Sequence, residues 1–210
     1  MCGRYYIDID EKEFKEIIHN AEKNIYKDYK TGEIFPSNIA PIYIQDEKAM
    51  RPILAKWGFP KWNEKGLIIN ARAETITEKQ MFKKLIVSNR CTIPASAYFE
   101  WKENTQNNKL KDKHIIKKSN SMLYFAGLYN IVPKHKSAQI SMFDTCENEK
   151  DVDIFYTIIT KEANSSVSYI HDRMPLIFDK LEIDEWFSGK SIDELIKKNN
   201  NELYSEIVIL

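Results

Sequence analysis

The chain has 210 residues, enough for one domain with a sizeable core, and it is 43% hydrophobic and 30% charged. Lysine plus arginine and aspartate plus glutamate both number 31, so no net charge draws the protein to nucleic acid or to an anionic membrane. This balance excludes a protein that coats DNA through its overall charge, and any nucleic-acid site has to be a local patch.

The three cysteines, at positions 2, 91 and 146, have no Cys-x-x-Cys spacing and predict neither a disulfide framework nor a metal cluster. No run approaches the roughly 18 apolar residues of a membrane span, and the N-terminus lacks the apolar segment of a secretory signal. We therefore expect a cytoplasmic, reduced protein that uses no cofactor, no metal and no membrane. Nothing in the sequence demands an oligomer, and we expect a monomer.

Apolar periodicity in the first half predicts one amphipathic helix among several short strands. The helix follows a cap at Asp10, and its apolar face consists of Phe14, Ile17, Ile18, Ala21 and Ile25. The strands are predicted at residues 4–7, 40–44, 52–57 and 68–75, with a polar turn at 45–48. Thr77 and Gln80 resemble a capping box for a second helix.

The second half contains more strands and only short helices. Strands are predicted around 98–101, 113–116, 122–131, 154–160, 176–178 and 206–210, and polar segments at 102–120 and 133–151. Short helices are predicted at 164–170, capped by Asn164, at 183–187, and at 191–198 with Ser191 and Glu194 as a capping box. We expect an α+β fold, a single mixed domain over 1–210 of mainly antiparallel sheet, curled towards a barrel and flanked by short helices.

Cys2 directly follows the initiator methionine, and its small side chain is compatible with removal of Met1. The mature chain would then begin with an α-amine of pKa about 7.7–8.0 beside a thiol of pKa about 8.5. Such a pair can condense with an aldehyde to a Schiff base and then close a thiazolidine ring. It can also act as an N-terminal nucleophile on an amide.

Three further features carry candidate chemistry. Glu100 lies between aromatic residues in an apparently buried strand, where a carboxyl group needs a partner or a raised pKa. His171 lies in a turn before a strand, although a lone histidine is more often structural. The aromatic turn at 57–62 is typical of a hydrophobic corner, and alternatively of a platform on which bases stack. Only five of the 31 basic residues are arginine, which favours specific contacts for those five.

Eight separated segments resemble the SOS-response-associated peptidase (SRAP) family, whose members shield abasic sites in single-stranded DNA. They begin with Met1-Cys2-Gly3-Arg4-Tyr5, Pro36-Ser37-Asn38-Ile39-Ala40-Pro41, Trp57-Gly58-Phe59-Pro60 and Asn70-Ala71-Arg72-Ala73-Glu74-Thr75. They continue with Arg90-Cys91 through Glu100-Trp101, Ala126-Gly127-Leu128, Thr160 to Asn164 and His171-Asp172-Arg173-Met174-Pro175. Together they span residues 1 to about 187 in family order. Tyr129-Asn130 replaces the usual Trp-Glu, and segments 102–120 and 133–151 do not match.

The resemblance implies a pseudo-barrel of bifurcated β-sheet and a covalent link to abasic DNA. It implies that Cys2 is the nucleophile and that Asn70, Glu100 and His171 surround it. The DNA contacts that we infer from it involve Arg4, Asn38, Trp57, Gly58, Phe59, Arg72, Thr160 and Arg173. The implied partner is single-stranded DNA containing an abasic site, and the protein would be nucleoid-associated when bound to damaged DNA.

Two rival functions use the same residues. One is an N-terminal-nucleophile hydrolase, of the peptidase or glutamine amidotransferase type, in which Glu100 and His171 serve amide hydrolysis. The other is a plain single-strand-binding module in which Cys2 is incidental. The residues alone leave these alternatives open, and the eight-segment resemblance favours the abasic-site function.

Overall fold

The computed structural model describes residues 2–21, 26, 28–46, 49–61, 64–107, 109–119, 121–134, 152–199 and 201–208. Its strands in the first half are β1 (Tyr5–Ile7), β2 (Gly32–Ile34), β3 (Ile39–Asp46), β4 (Ala49–Trp57), β5 (Phe59–Pro60), β6 (Leu67–Ile68) and β7 (Asn70–Arg72). Those that follow are β8 (Arg90–Ala95), β9 (Ala97–Glu103), β10 (Lys111–Lys117), β11 (Leu123–Pro133), β12 (Val152–Glu162), β13 (Arg173–Pro175), β14 (Ile177–Phe178) and β15 (Tyr204–Ile207). The helices are α1 (Lys12–Asn20), α2 (Gln80–Lys83), α3 (Leu85–Ser88), α4 (Lys180–Phe187) and α5 (Ile192–Lys198), with a 3₁₀ turn at Ala73–Thr75.

Five long strands close into a barrel. The order runs β12-β4-β3-β8-β11, and β11 pairs again with β12, which completes the ring. The β12–β4 pairing is parallel, and the other four pairings are antiparallel. Strands β7, β13 and β14 extend this sheet at its margins. The expected α+β fold, mainly antiparallel sheet curled into a pseudo-barrel, is confirmed.

A second sheet contains the strand that follows Cys2. Its order is β15-β10-β9-β1-β2, so the strand after Cys2 lies between β2 and β9. Tyr5 stands opposite Tyr98 in this register. Only Ser96 separates the barrel strand β8 from β9, the strand that carries Glu100. The two sheets are therefore directly connected through the chain at this point.

Close packing inside the barrel requires a glycine at position 127. A Cβ atom there would collide with the side chain of Ile93 and would lie 2.8 Å from the carbonyl oxygen of Thr157. Neighbouring strands can approach β11 this closely only because Gly127 has no side chain.

Local predictions near helix ends were less accurate than those of the strands. Helix α1 buries Phe14, Ile17 and Ile18 as predicted, but its N-cap is Glu11 rather than Asp10 and makes no side-chain capping bond. Ile25 lies outside the described residues. The Thr77–Gln80 capping box is wrong, because α2 begins at Gln80 after Lys79 without a side-chain cap.

Towards the C-terminus one capping box was misplaced. Ser191 is the N-cap of α5 but makes no side-chain bond, whereas Asp179 and Glu182 form a full capping box at α4. The predicted helix over 164–170 is a series of turns instead. The terminal strand occupies Tyr204–Ile207, earlier than predicted, and most of segment 133–151 lies outside the described residues. None of the described helices has the length and apolar character needed to cross a membrane.

Candidate active site

Cys2 lies just before β1 with no exposed surface. Its backbone carbonyl accepts a hydrogen bond from the Nδ2 atom of Asn70 at 2.8 Å. Its thiol lies 3.8 Å from the carbonyl oxygen of Arg4, a weak S–H contact. Asn70 begins β7, which pairs with β12, so the barrel margin holds the backbone of Cys2 in place.

The surroundings of the Cys2 thiol oppose its ionisation. Burial raises the pKa of the Cys2 thiol well above its usual range, and the negative charge of Glu100 raises it further. Near neutral pH the sulfur therefore keeps its proton. A reaction at this sulfur requires a nearby group that accepts the proton as the bond forms.

Glu100 is the side chain whose charge acts on the Cys2 thiol. It is 3% exposed on β9, and burial raises its pKa to about 7, with the charge of Asp172 adding to the shift. Near neutral pH the carboxyl group is therefore divided between its acid and carboxylate forms. Such a group can act as an acid in one step and as a base in the next.

His171 approaches the same region from the turn before β13. Its Nδ1 atom lies 3.0 Å from the backbone N–H of Arg173, from which it accepts a hydrogen bond when it carries no proton. The carboxylate of Asp172 is 2.8 Å from Nδ1 and strengthens its contact when the ring is protonated. Burial lowers the pKa of His171, and Asp172 opposes that shift.

The structure thus brings the four predicted catalytic residues to one place. Asn70 contacts Cys2 directly, and Glu100 acts on the thiol of Cys2 through its charge. His171 joins them through Asp172, which contacts its ring and also raises the pKa of Glu100. The sequence indicated Asp172 only as a neighbour of His171, and its influence on Glu100 is visible only in three dimensions.

Arg4 is held among aromatic rings beside this site. Its guanidinium lies 4.3 Å from the ring centre of Phe35 and 4.8 Å from that of Trp101. Its Nη1 atom donates to the carboxylate of Glu33 at 3.0 Å, and Lys113 binds the other oxygen of that carboxylate. The Arg4 side chain is 28% exposed, so part of the guanidinium still faces solvent.

Arg173 forms a bidentate ion pair with Glu74. Its two terminal nitrogens donate to the Glu74 carboxylate at 2.7 and 2.9 Å, and one also donates to the carbonyl oxygen of Thr160 at 2.8 Å. Arg72 is exposed and stands opposite Thr160 in the β7–β12 register. The predicted contacts Arg72, Thr160 and Arg173 therefore cluster on one margin of the barrel, with Thr160 itself buried.

The family model described as SOS response associated peptidase (SRAP) matches residues 1–207 of the chain. The chain belongs to this family. The Bacillus subtilis (strain 168) protein named abasic site processing protein YoqW is 36% identical over an alignment of 204 residues, which covers 92% of this chain and 83% of that protein. The Escherichia coli (strain K12) protein named abasic site processing protein YedK is 27% identical over an alignment of 208 residues, which covers 93% of this chain and 85% of that protein.

A solved structure of a protein from Bacteroides thetaiotaomicron shares the SRAP chain's fold. The TM-score is 0.73 at 20% sequence identity, over 99% of this chain and 92% of that chain. At this identity the likeness concerns the fold alone.

The Trp57 turn of this SRAP chain belongs to the core. Trp57 has no exposed surface, its ring is stacked on Tyr156 at 6.4 Å, and its Nε1–H donates to the carbonyl oxygen of Ile69 at 3.0 Å. Phe59 is 4% exposed. The expected stacking of bases on this turn is therefore corrected in favour of the hydrophobic corner, because a ring without exposed surface has no face to offer.

Gly58 and Asn38 maintain local backbone geometry. Gly58 has φ +104, and a Cβ atom there would lie 2.9 Å from the Cβ atom of Leu67. The Oδ1 atom of Asn38 accepts from the backbone N–H of Phe35 at 3.0 Å and closes a turn. The backbone conformation of Gly58 and the hydrogen bond of Asn38 give both residues a structural role, and their contacts with DNA stay predictions.

Phe35 is an exposed aromatic that sequence reasoning missed. It is 40% exposed beside Arg4, so it offers a ring face where the Trp57 turn does not. The signal available in the sequence was its position next to Pro36 in a matched segment.

Within the described part of the chain, no group of three or more His, Cys, Asp or Glu residues could hold a metal ion.

Proposed function

We propose that the protein recognises abasic sites in single-stranded DNA and links to them covalently through Cys2. The observation that carries the proposal is the hydrogen bond from Asn70 to the Cys2 backbone, together with the buried Glu100, whose pKa is about 7. Relatives from Bacillus subtilis and Escherichia coli are named abasic site processing proteins, which supports the same substrate class.

The first bond forms between the Cys2 amine and the sugar aldehyde. Removal of Met1 leaves the α-amine of Cys2, and the open form of an abasic deoxyribose carries an aldehyde at C1′. The neutral amine attacks this carbon and gives a carbinolamine. Loss of its hydroxyl group as water, with one proton supplied, gives the protonated Schiff base.

Glu100 supplies that proton in its acid form, which a pKa of about 7 keeps populated at neutral pH. His171 assists the opening of the sugar ring in its imidazolium form, by donating the proton of Nε2 to the ring oxygen, and the Asp172 carboxylate 2.8 Å from Nδ1 stabilises that form. Asn70 fixes the Cys2 backbone so that the amine approaches the aldehyde in one orientation.

The thiol of Cys2 then closes the ring. Sulfur adds to the Schiff-base carbon as its proton passes to the Glu100 carboxylate, and the nitrogen becomes a neutral secondary amine. The product is a thiazolidine plus one water, with Glu100 returned to its starting acid form. Capture by sulfur removes the Schiff base from which strand cleavage by β-elimination would proceed.

DNA would be held at two margins of the site. Arg72 lies exposed on the barrel margin, and Arg4 with Phe35 lies on the other sheet. Guanidinium groups pair with phosphates, and the exposed ring of Phe35 can stack on an unpaired base. A splayed single strand offers such bases, whereas a continuous duplex does not.

The decisive experiment mixes the protein with a single-stranded oligonucleotide that carries one abasic site and separates the products on a denaturing gel. We expect a heat-stable adduct with the wild type and none with Cys2→Ala. Cys91→Ala is the matched control, because Cys91 is equally buried but lies within barrel strand β8, away from the N-terminus of the chain. Intact mass on the same sample verifies that Met1 is absent. An adduct of undiminished yield with Cys2→Ala would contradict the proposal.

The same groups define the alternative. An N-terminal cysteine beside Glu100 and His171 could hydrolyse an amide, as the family description peptidase suggests. Absence of any adduct, together with Cys2-dependent turnover of a peptide or of glutamine, would favour that hydrolase.

A further inference from the structure

His114 stands directly opposite Glu100 in the register between β10 and β9. Residues paired in this way share a face of the sheet, with Cβ atoms about 4.5–5.5 Å apart. His114 is 6% exposed, so its ring is packed on the core side with Glu100. The sequence indicated only a polar, lysine-flanked position.

The two ring nitrogens of His114 face different surroundings. Its Nε2 atom is buried and makes no hydrogen bond within the described part of the chain. Its Nδ1 atom lies 3.4 Å from the hydroxyl oxygen of Ser205 on β15. A buried imidazole nitrogen without a partner costs free energy, so a polar group within its reach is expected to use it.

A row of hydroxyl groups continues from His114 to solvent. The Oγ atom of Ser205 is 2.6 Å from the hydroxyl oxygen of Tyr169, and Tyr169 is 52% exposed. Tyr169 belongs to the turn that leads to His171, and the ammonium group of Lys102 lies 5.0 Å from its ring centre. The turn therefore packs on the same sheet face as Glu100.

We infer that His114 is a positioning residue for Glu100. His114 orients the Glu100 carboxyl group and connects it through Ser205 and Tyr169 to solvent. The inference rests on the proposed function, in which Glu100 gives and takes the proton of the reaction. In the inferred arrangement the Nε2–H group, which makes no hydrogen bond within the described residues, donates to one carboxyl oxygen of Glu100 and leaves the other oxygen to act on the substrate.

Proton exchange along this row is balanced at each step. When the Glu100 carboxylate takes the proton of Nε2, Nδ1 takes the hydroxyl proton of Ser205. Ser205 is replenished by Tyr169, and Tyr169 takes a proton from water. The reverse sequence returns the proton to solvent. This row gives a carboxyl group that is 3% exposed a route for equilibration with the medium.

The charges around His114 keep its ring neutral, as a proton donor at Nε2 requires. The titratable groups that face it are Tyr98, Glu100 and Lys102 from β9, Asp112 from its own strand and Tyr169 from the turn. Burial and the charge of Lys102 lower the pKa of His114, and Asp112 opposes them.

The test compares His114→Phe, His114→Gln and the control His19→Gln, a change at an exposed histidine on α1. The first readout is the Glu100 titration by ¹³C NMR in carboxyl-labelled protein without DNA. A hydrogen bond to the carboxylate lowers its pKa, so His114→Phe should raise the Glu100 midpoint. His114→Gln, which keeps an N–H donor, should restore much of the wild-type value, and His19→Gln should not change it.

The second readout is the rate of adduct formation against pH at saturating abasic oligonucleotide. We expect His114→Phe to slow the reaction about tenfold and to move its alkaline limb to higher pH, with the final yield unchanged. Tyr169→Phe should slow it less and leave the Glu100 midpoint in place. An unchanged Glu100 midpoint in His114→Phe would overturn the inference, as would a slower rate whose pH profile keeps its shape.

The two proposals fail separately. If the wild type forms no adduct, the proposed function fails, while the Glu100 midpoint still decides whether His114 acts on Glu100. If His114→Phe does not fold, the Glu100 titration midpoint is compared between His114→Gln and His114→Asn. The asparagine side chain is shorter and would not reach Glu100, so a difference between the two midpoints supports a contact from position 114. Equal midpoints in these two variants would overturn the inference.

Discussion

The side-chain amide of Asn70 donates to the backbone carbonyl of Cys2 at 2.8 Å, so the barrel margin and the N-terminal segment are joined at Cys2. The contact spans 68 positions of the sequence. It holds the Cys2 backbone through a group that does not need to take part in proton transfer. A rigid anchor of this kind favours one approach of the amine to the aldehyde.

Asn70→Asp should slow adduct formation by about tenfold or more, because a carboxylate oxygen would replace the N–H donor and face the Cys2 carbonyl. Single-turnover kinetics on a gel would measure the rate, and fluorescence anisotropy would measure DNA affinity. Asn107→Asp is the matched control, since Asn107 is exposed in a turn. A rate equal to wild type in Asn70→Asp would contradict the role of the contact.

The rate of adduct formation should fall as pH rises above about 7, where Glu100 loses the proton that it donates. Glu100→Gln should remove this limb and lower the rate about a hundredfold or more. The measurement is the single-turnover rate across neutral pH with buffers of constant ionic strength. A wild-type profile that continues to rise through this range would contradict Glu100 as the acid.

Stability should also depend on the Glu100 proton. The folded-state pKa is raised to about 7, so the folded protein holds this proton more tightly than the unfolded chain. The contribution is fully present below the unfolded pKa and is lost as pH rises through about 7, by roughly 3–4 kcal/mol. Urea denaturation at a series of pH values would show this decline in the wild type. The decline should be smaller in Glu100→Gln, and equal slopes would disagree with a buried, uncharged Glu100.

Trp57→Phe and Phe35→Ala should separate the core from the DNA surface. Trp57→Phe removes the bond to the Ile69 carbonyl and should destabilise the fold by about 1–3 kcal/mol without weakening DNA binding. Phe35→Ala should weaken binding of single-stranded DNA about tenfold while leaving the unfolding midpoint nearly unchanged. Denaturation and anisotropy on both variants test the pair, and the opposite pattern would restore the Trp57 turn as the stacking surface.

Arg72→Gln should weaken DNA binding and reduce the slope of log K against log salt by about 1, as expected for one lost phosphate contact. The exposed guanidinium on β7 gives no reason for a loss of stability. Arg51→Gln is the control, because Arg51 pairs with Asp46 near the β3–β4 connection. A change of salt slope in Arg51→Gln equal to that in Arg72→Gln would indicate general electrostatics rather than a local contact.

Prediction from sequence succeeded where a pattern is local and repeated. The apolar face of α1 and the strands around 40–44, 52–57, 122–131 and 154–160 all occur in the structure. Helix caps were less predictable, since Thr77 and Ser191 have suitable side chains but make no capping bond. A cap forms only where the preceding backbone directs the side chain to the free N–H groups, and tertiary packing sets that direction.

The sequence by itself indicated a fold made mainly of strands and identified the family. It also predicted four catalytic residues, Cys2, Asn70, Glu100 and His171, because these depend only on residue types and their order along the chain. Only the tertiary structure decided that Trp57 is buried, that Arg173 is already paired with Glu74, and that His114 stands opposite Glu100. The reason is register. A shift of one residue between β9 and β10 would turn His114 to the other face, and that pairing depends on contacts across the whole sheet.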